Sequence, residues 1–371
     1  MYKTNPEIHG YIKDPICESH AHLCFEKTID ETVDCYKKII KHFNYRAANL
    51  DAAPVSFGCT ENFQVIYCKS MLAPKVYACA GPEYLLNGHD SEESLLNQIK
   101  EYSAMGFDGI KMLDGKVSQY RITKYKLTDK IFSRFFEYAE ENGIPVTMHI
   151  ADPERYWDKS KATAYTIAKG WVYGEDDPHI EELRGWVDEI LHRYPKLKLI
   201  LAHFYFMSGD LERLSKLLDT YENLHIDITP GGEMFVNFTN NYEQSRKFFE
   251  KYQHRILYGT DMYNTFDSPE KAEAEVGGPR VFQARSMLEK TEEFYSPLIS
   301  DKPLKPFGFK GEILNNIYCN NFYNLFGEKP KKLDCERIFT NCKDFVLNNQ
   351  SLNSIEKSNM KIITEHFENI K

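Results

Sequence analysis

The chain has 371 residues, 42% of them apolar, with 46 Lys and Arg against 55 Asp and Glu for a net charge of −9. With no Lys/Arg run and no apolar stretch of roughly 18–20 residues, neither nucleic acid nor a membrane is an expected partner. The opening Met1-Tyr2-Lys3-Thr4-Asn5-Pro6-Glu7 lacks an apolar signal core, and nine cysteines fall singly from Cys17 to Cys342 without a CxxC pair, so a cytoplasmic protein with reduced thiols is expected.

Short β-branched or apolar runs alternate along the chain with longer segments of helical period, the pattern of repeated βαβ units around a parallel sheet. In order, a strand over Pro15 to Leu23 is followed by a helix over Asp30 to Lys41, and a strand over Phe43 to Leu50 by a helix over Thr60 to Met71. A strand over Lys75 to Gly81 precedes a helix over Ser91 to Met105, and one over Gly106 to Leu113 precedes a helix over Thr128 to Asn142. The strands Ile144 to Ile150, Leu197 to Phe204 and Leu224 to Thr229 lead into helices over Pro178 to Tyr194, Asp210 to Tyr221 and Asn241 to Tyr252. The eighth strand, Ile256 to Asp261, completes the series, and Gly311 to Phe326 reads as its helix. Eight strands with interleaved helices fit an α/β fold of the (β/α)8 TIM-barrel type; a doubly wound sheet is disfavoured because no GxG phosphate turn occurs anywhere.

Two connections are longer than plain βα loops. Ala151 to Asp177 carries Tyr156, Trp157, Tyr165, Trp171 and Tyr173, and Met262 to Lys310 includes a helical stretch over Arg280 to Phe294. Both follow the C-terminal end of a strand, where barrel enzymes build their sites, so these insertions (151–177 and 262–310) are the expected pocket walls. Residues 1–329 are read as one barrel domain, and 330–371 as a helical C-terminal extension with Ile355, Ile362, Ile363 and Phe367 as packing positions. That extension and the high aromatic content make a homodimer an expectation.

The first strand ends Cys17-Glu18-Ser19-His20-Ala21-His22, and strand alternation turns Glu18, His20 and His22 to one side. His149 ends the fifth strand, His203 the sixth and Asp261 the eighth, so a closed barrel gathers four histidines and a carboxylate at one mouth. Nitrogen donors with one carboxylate and no thiolate suit Zn²⁺ first, with Mn²⁺ or Fe²⁺ as alternatives, and leave room for a water activated for hydrolysis. His225 and Asp227 are read as structural, and alternation turns Cys17 away from the histidines, which with Cys24 argues against a thiol nucleophile. No GxSxG, HExxH or Walker motif is present.

Together with Gly109-Ile110-Lys111 and the closing Asn315-Asn316-Ile317-Tyr318-Cys319-Asn320-Asn321-Phe322, these motifs resemble the amidohydrolase superfamily over about residues 15 to 327. The nearest branch is the amidohydrolase-related one, which holds aminocarboxymuconate semialdehyde decarboxylase and aromatic-acid decarboxylases beside hydrolases. The resemblance implies a single divalent ion held by His20, His22, His149 and Asp261, with His203 as general acid or base. It leaves Glu18 as either a further ligand or a carboxylate orienting an imidazole from behind. It leaves Lys111 as a holder of an anionic substrate group or of a structural carboxylate, where binuclear members carry a carboxylated lysine. Arg155, Arg121 and Trp157 are candidates for binding the substrate, with solvated surface charge as the alternative for the arginines. The expected function is hydrolysis of a C–N or C–O bond in a small carboxylated substrate, with Asp261 helping to shuttle the proton; non-oxidative decarboxylation of an aromatic or unsaturated acid, and a non-catalytic ligand-binding barrel, are the alternatives.

Overall fold

A computed structural model describes residues 14–23, 27–84, 90–230, 233–264, 277–349 and 351–371. The predicted strands form as β1 (Ile16–His22), β2 (Tyr45–Asp51), β3 (Val76–Ala80), β4 (Gly109–Gly115), β5 (Val146–Ile150), β6 (Leu199–Leu201), β7 (Leu224–Asp227), β8 (Ile256–Leu257) and β9 (Met262–Tyr263). Hydrogen-bonded neighbours run β8-β7-β6-β5-β4-β3-β2-β1-β9, and every neighbouring pair is parallel. Almost every strand residue is buried, as expected when helices cover the outer face and side chains fill the inside.

The predicted eighth strand is split. Its first half pairs with β7 and its continuation with β1, and the break still carries closing bonds: Ser19 N donates to Tyr258 O (3.1 Å) and Asp261 N to His20 O (2.9 Å). The sheet therefore closes into a (β/α)8 barrel. Gly259 lies in that break because nothing larger fits: a Cβ there would stand 2.6 Å from Thr229 Oγ1.

Helices form where the periodicity predicts them, over Ile29–His42, Glu61–Met71, Glu92–Met105, Ile180–Arg193, Leu211–Thr220 and Tyr242–Tyr252. The first begins at a capping box, with Thr28 accepting from Glu31 N and Glu31 accepting from Thr28 N, and buries Val33, Tyr36, Ile39 and Ile40. The predicted helix from Thr128 instead begins as a 3₁₀ turn over Lys130–Phe132, because Asp129 closes a turn by accepting from Lys126 N (2.8 Å). Val117–Thr123, absent from the predicted set, forms a helix directly after β4.

Within the second insertion the helix spans Gly277–Glu289, and Phe294 belongs to an antiparallel hairpin of Phe294–Ser296 with Ile299–Leu304. That correction follows from Phe294 packing on Phe282 and Ser296 Oγ bonding Gln283. Part of that insertion, and Cys24, lie outside the described residues. The stretch Gly311 to Phe326 is helical with one wide π turn over Asn316–Asn320, and Asn321 donates to Ile256 O (2.7 Å), tying it to β8. The tail forms helices Cys335–Asn348 and Ser354–Ile370; Ile363 and Phe367 are buried and Ile362 partly so, but Ile355 is exposed near the start of its helix. Among the described residues no helix is long and apolar enough to cross a membrane.

Candidate metal centre

β1 delivers its alternate residues to the barrel interior, and the His20 and His22 Nε2 atoms meet 3.2 Å apart. His20 Nδ1 bonds Asp227 Oδ2 (2.9 Å), and His22 Nδ1 bonds the carbonyl oxygen of Asp51 (2.8 Å). A carboxylate and a carbonyl accept only, so the network assigns both protons to Nδ1 and leaves a lone pair on each Nε2. Burial, with Lys111 nearby, lowers both imidazoles below their ordinary range, His22 to about 3. Two facing lone pairs call for a cation. The Lys111 ammonium lies 2.6 Å from His20 Nε2, and Asp261 Oδ1 lies 3.6 Å from His22 Nε2 and 3.9 Å from His20 Nε2. Around a tetrahedral ion with bonds of roughly 2.0–2.1 Å, neighbouring donors stand about 3.3–3.4 Å apart, so this donor set fits a small divalent cation once the Lys111 ammonium, which takes the His20 Nε2 lone pair here, draws back.

Asp261 has φ 54°, in the left-handed region, and Arg280 donates to both its backbone oxygen (2.6 Å) and its Oδ2 (2.9 Å). Burial alone would raise this carboxyl, but Arg280 and the neighbouring histidines outweigh it and hold it well below the usual range. His203 opens a run of four left-handed residues, His203 to Phe206, with φ between 47° and 57°. Such residues cost about 1–3 kcal/mol each and persist only where their surroundings hold them. Here Asp227 Oδ1 accepts from His203 N (2.8 Å) while its Oδ2 holds His20, so one carboxylate positions two histidines. That corrects the reading of Asp227 as structural only. His225, by contrast, is half-buried and among the described residues bonds Asn223 O. The His203 ring lies 5.4 Å from His20 and 4.7 Å from His149. Burial and then His149 lower it to about 3, which makes it neutral near pH 7.

His149 lines the same cavity, with Nε2 bonded to Ala151 O (3.0 Å) and 3.6 Å from Asp152 Oδ1. Glu18 does not line it. Its oxygens accept from His20 N, from Thr260 N and Oγ1, and from Tyr45 OH, so the carboxylate braces the residue before Asp261 instead of offering a free lone pair to an ion. Burial pushes it up to about 7 against those donors. Cys17 packs against Cys319, away from the histidines, as alternation predicts.

The cavity has a volume of about 450 Å³, and His20, His22, His149, His203 and Asp261 share it with Lys116, Lys169, Tyr165, Trp171, Tyr263 and Arg280. Of the substrate-binding candidates, Lys111 reaches the histidines, but Arg155 and Trp157 are not in this wall. Arg155 pairs with Glu233 (2.6 Å) on the surface, and the Trp157 indole donates to Pro178 O while its ring packs on Tyr173. Arg121 is spent on Asp177 and on the carbonyls of Gly170 and Val172. The first insertion does supply a wall, but through Tyr165, Lys169 and Trp171. A larger cavity of about 610 Å³ between the tail helices has no His, Cys or Asp in its walls.

Sequence reasoning missed Asp51 and Arg280. The predicted second strand stops at Leu50, one residue short of Asp51, although a carboxylate at a strand's C-terminal end is the same signal that singles out Asp261. His20, His22 and Asp51 bring their donor atoms within 4.8 Å of one another. Arg280 opens a predicted helix with nothing in its neighbours to mark it.

No curated protein matches the chain. Solved structures do: 2,6-dihydroxybenzoate decarboxylase from Rhizobium (14% identity, 84% of this chain and 98% of that one, TM-score 0.53) and 4-oxalomesaconate hydratase from Rhodopseudomonas palustris (14%, 90% and 100%, 0.51). An uncharacterized TIM-barrel protein from Bordetella bronchiseptica aligns similarly (13%, 84% and 98%, 0.51). At such identities the likeness establishes the barrel. The amidohydrolase family model matches residues 85–279, from before β4 through Asp261 and just over half of the sequence. With this match, the chain belongs to the amidohydrolase family.

Proposed function

We propose that the protein is a metal-dependent hydrolase that cleaves a C–N or C–O bond in a small carboxylated substrate. The observation that carries this reading is the convergence of the His20 and His22 Nε2 lone pairs with Asp261 Oδ1 at a cavity that His203 also lines. His20, His22 and Asp261 would hold the ion, with His149 on the adjoining wall as a further ligand; Zn²⁺ is the first expectation and Mn²⁺ or Fe²⁺ the alternatives. When bound, such an ion supplies Lewis acidity, polarising a substrate oxygen and acidifying water. Asp227 keeps His20 in the tautomer that presents Nε2. His203 takes the proton as general base, and Nε2 is the nitrogen that does so because Nδ1 is sealed in the wall without a hydrogen bond among the described residues. Asp261, oriented by Arg280 through Oδ2, would hold the ion and help to shuttle the proton. Lys169 in the wall would attract the substrate carboxylate, beside Lys116, which is already paired with Asp152 (3.2 Å).

The decarboxylase named among the matching barrels supports a second reading, in which the same residues hold a carboxylate that leaves as CO₂. Turnover in ¹⁸O-water separates the two: a hydrolase places one label in its organic product and releases no CO₂, whereas a decarboxylase releases CO₂ and leaves the organic product unlabelled. For the site itself, metal analysis of the purified protein should find about one divalent ion per chain. His20→Ala should lose the ion, whereas His203→Ala should keep it and lose roughly 10²-fold or more in turnover. Loss of the ion from His203→Ala would make that histidine a ligand and end its assignment as the base.

A further inference from the structure

The Asp51 side chain is fully buried at the end of β2, beside β1. Its Oδ1 accepts from Asn49 Nδ2 (2.7 Å), which itself is anchored on Ser19 O (3.1 Å), while Oδ2 makes no hydrogen bond among the described residues. A buried carboxylate oxygen left this way is costly and calls for an explanation. One explanation is that Asp51 balances the charge of Lys111. The contact is too loose for that to be its whole role, since Lys111 Nζ is 3.5 Å from Oδ2, too long for a good hydrogen bond, and sits 2.6 Å from His20 Nε2 instead. The other explanation starts from the backbone. The Asp51 carbonyl fixes the His22 tautomer, and its carboxylate belongs to the group whose donor atoms fall within 4.8 Å of the two imidazoles.

We propose that Asp51 is a protein ligand of the divalent ion, a carboxylate contributed by the second strand in addition to Asp261 from the eighth. The proposal rests on the reading that the ion sits on His20 and His22. A second carboxylate beside the imidazoles of His20, His22 and His149 makes a harder donor set than the one expected from the resemblance, and shifts preference from Zn²⁺ toward Mn²⁺.

The test is metal affinity. Full-length protein stripped with a chelator is titrated with Zn²⁺ and, separately, with Mn²⁺ in competition with a chromophoric chelator. Asp51→Asn, which keeps the shape and removes the charge, is expected to weaken binding roughly tenfold or more, with the larger loss for Mn²⁺. The same substitution is made in a Lys111→Met background. A ligand's loss persists there, whereas a residue that only balances Lys111 has nothing left to balance, and a vanished effect overturns the proposal. Should Asp51→Asn alone fail to fold because it strands the Lys111 charge, the double variant removes that charge, and its comparison with Lys111→Met decides. A wild type that binds neither metal overturns the proposed function along with this assignment; a wild type that binds as tightly as Asp51→Asn overturns only the assignment.

Discussion

Glu18 and Glu61 are buried and Asp261 is partly buried near the barrel mouth, yet their neighbours set them to different charges. Arg280 keeps Asp261 ionised, hydroxyl and amide donors leave Glu18 near 7, and Glu61 is pushed up to about 8 by burial, with Asp51 adding to the rise. Glu61 accepts from Ala53 N (2.6 Å) through one oxygen, and the other makes no hydrogen bond among the described residues. The folded protein thus keeps a proton that the unfolded chain loses near pH 4.5. This contribution to stability is present in full below about pH 4.5 and is lost as the pH rises through about 8. Glu61→Gln should therefore flatten the pH dependence, melting like the wild type at pH 4 and more stable by roughly 2–4 kcal/mol at pH 9. Parallel melting curves from pH 4 to 9 would rule out a protonated Glu61. None of this was legible from the sequence, where Glu61 reads as an ordinary first-turn acid of a helix. The histidines were legible, because each ends an apolar run and needs no knowledge of its partners.

The first insertion shows how an irregular element is held rigid enough to form a wall. Arg121, on the unpredicted helix Val117–Thr123, chelates Asp177 through two bonds of 2.7 and 2.6 Å and also reaches Gly170 O and Val172 O. At the other end Tyr173 OH donates to Asp152 (2.6 Å), which Lys116 approaches to 3.2 Å. Trp171 stacks on Tyr156 between these ties. Arg121 is about one-third exposed, so its global contribution is modest, but its local one is not. Arg121→Ala should cost about 1 kcal/mol in overall stability while amide exchange across 162–177 accelerates and metal content stays unchanged. Unchanged exchange there would mean the aromatic packing suffices. The aromatic cluster announced a wall in the sequence, but which aromatics face the cavity depended on how the segment folds back: Trp157 turned to Tyr173 and Pro178, leaving Trp171 and Tyr165 at the cavity.

Across the whole molecule, the C-terminal helix Ser354–Ile370 closes over the early helices of the barrel. Asn359 accepts from Ile29 N (2.9 Å), His366 bonds Ser70 Oγ (2.9 Å) and stands edge-on to Tyr67, and Phe367 is fully buried. Phe367→Ala should lower stability by about 3–5 kcal/mol in urea unfolding, with the metal content of the folded fraction unchanged from wild type. A change under about 1 kcal/mol would show that the tail packs independently of the barrel. What the sequence determined by itself was whatever repeats locally: eight buried runs at βα spacing, the side on which the alternate residues of β1 fall, and the ends of the runs at which His149, His203 and Asp261 reach the same mouth, the last two from left-handed backbone just beyond their strands. Only the tertiary structure decided that Asp227 braces two of them, that Arg280 clamps Asp261, that Glu18 turns to Thr260 and that Asp51 joins the histidines. The physical reason is range: alternation acts between adjacent residues, whereas a bond such as His20 to Asp227 joins positions 207 residues apart and exists only once the barrel has closed.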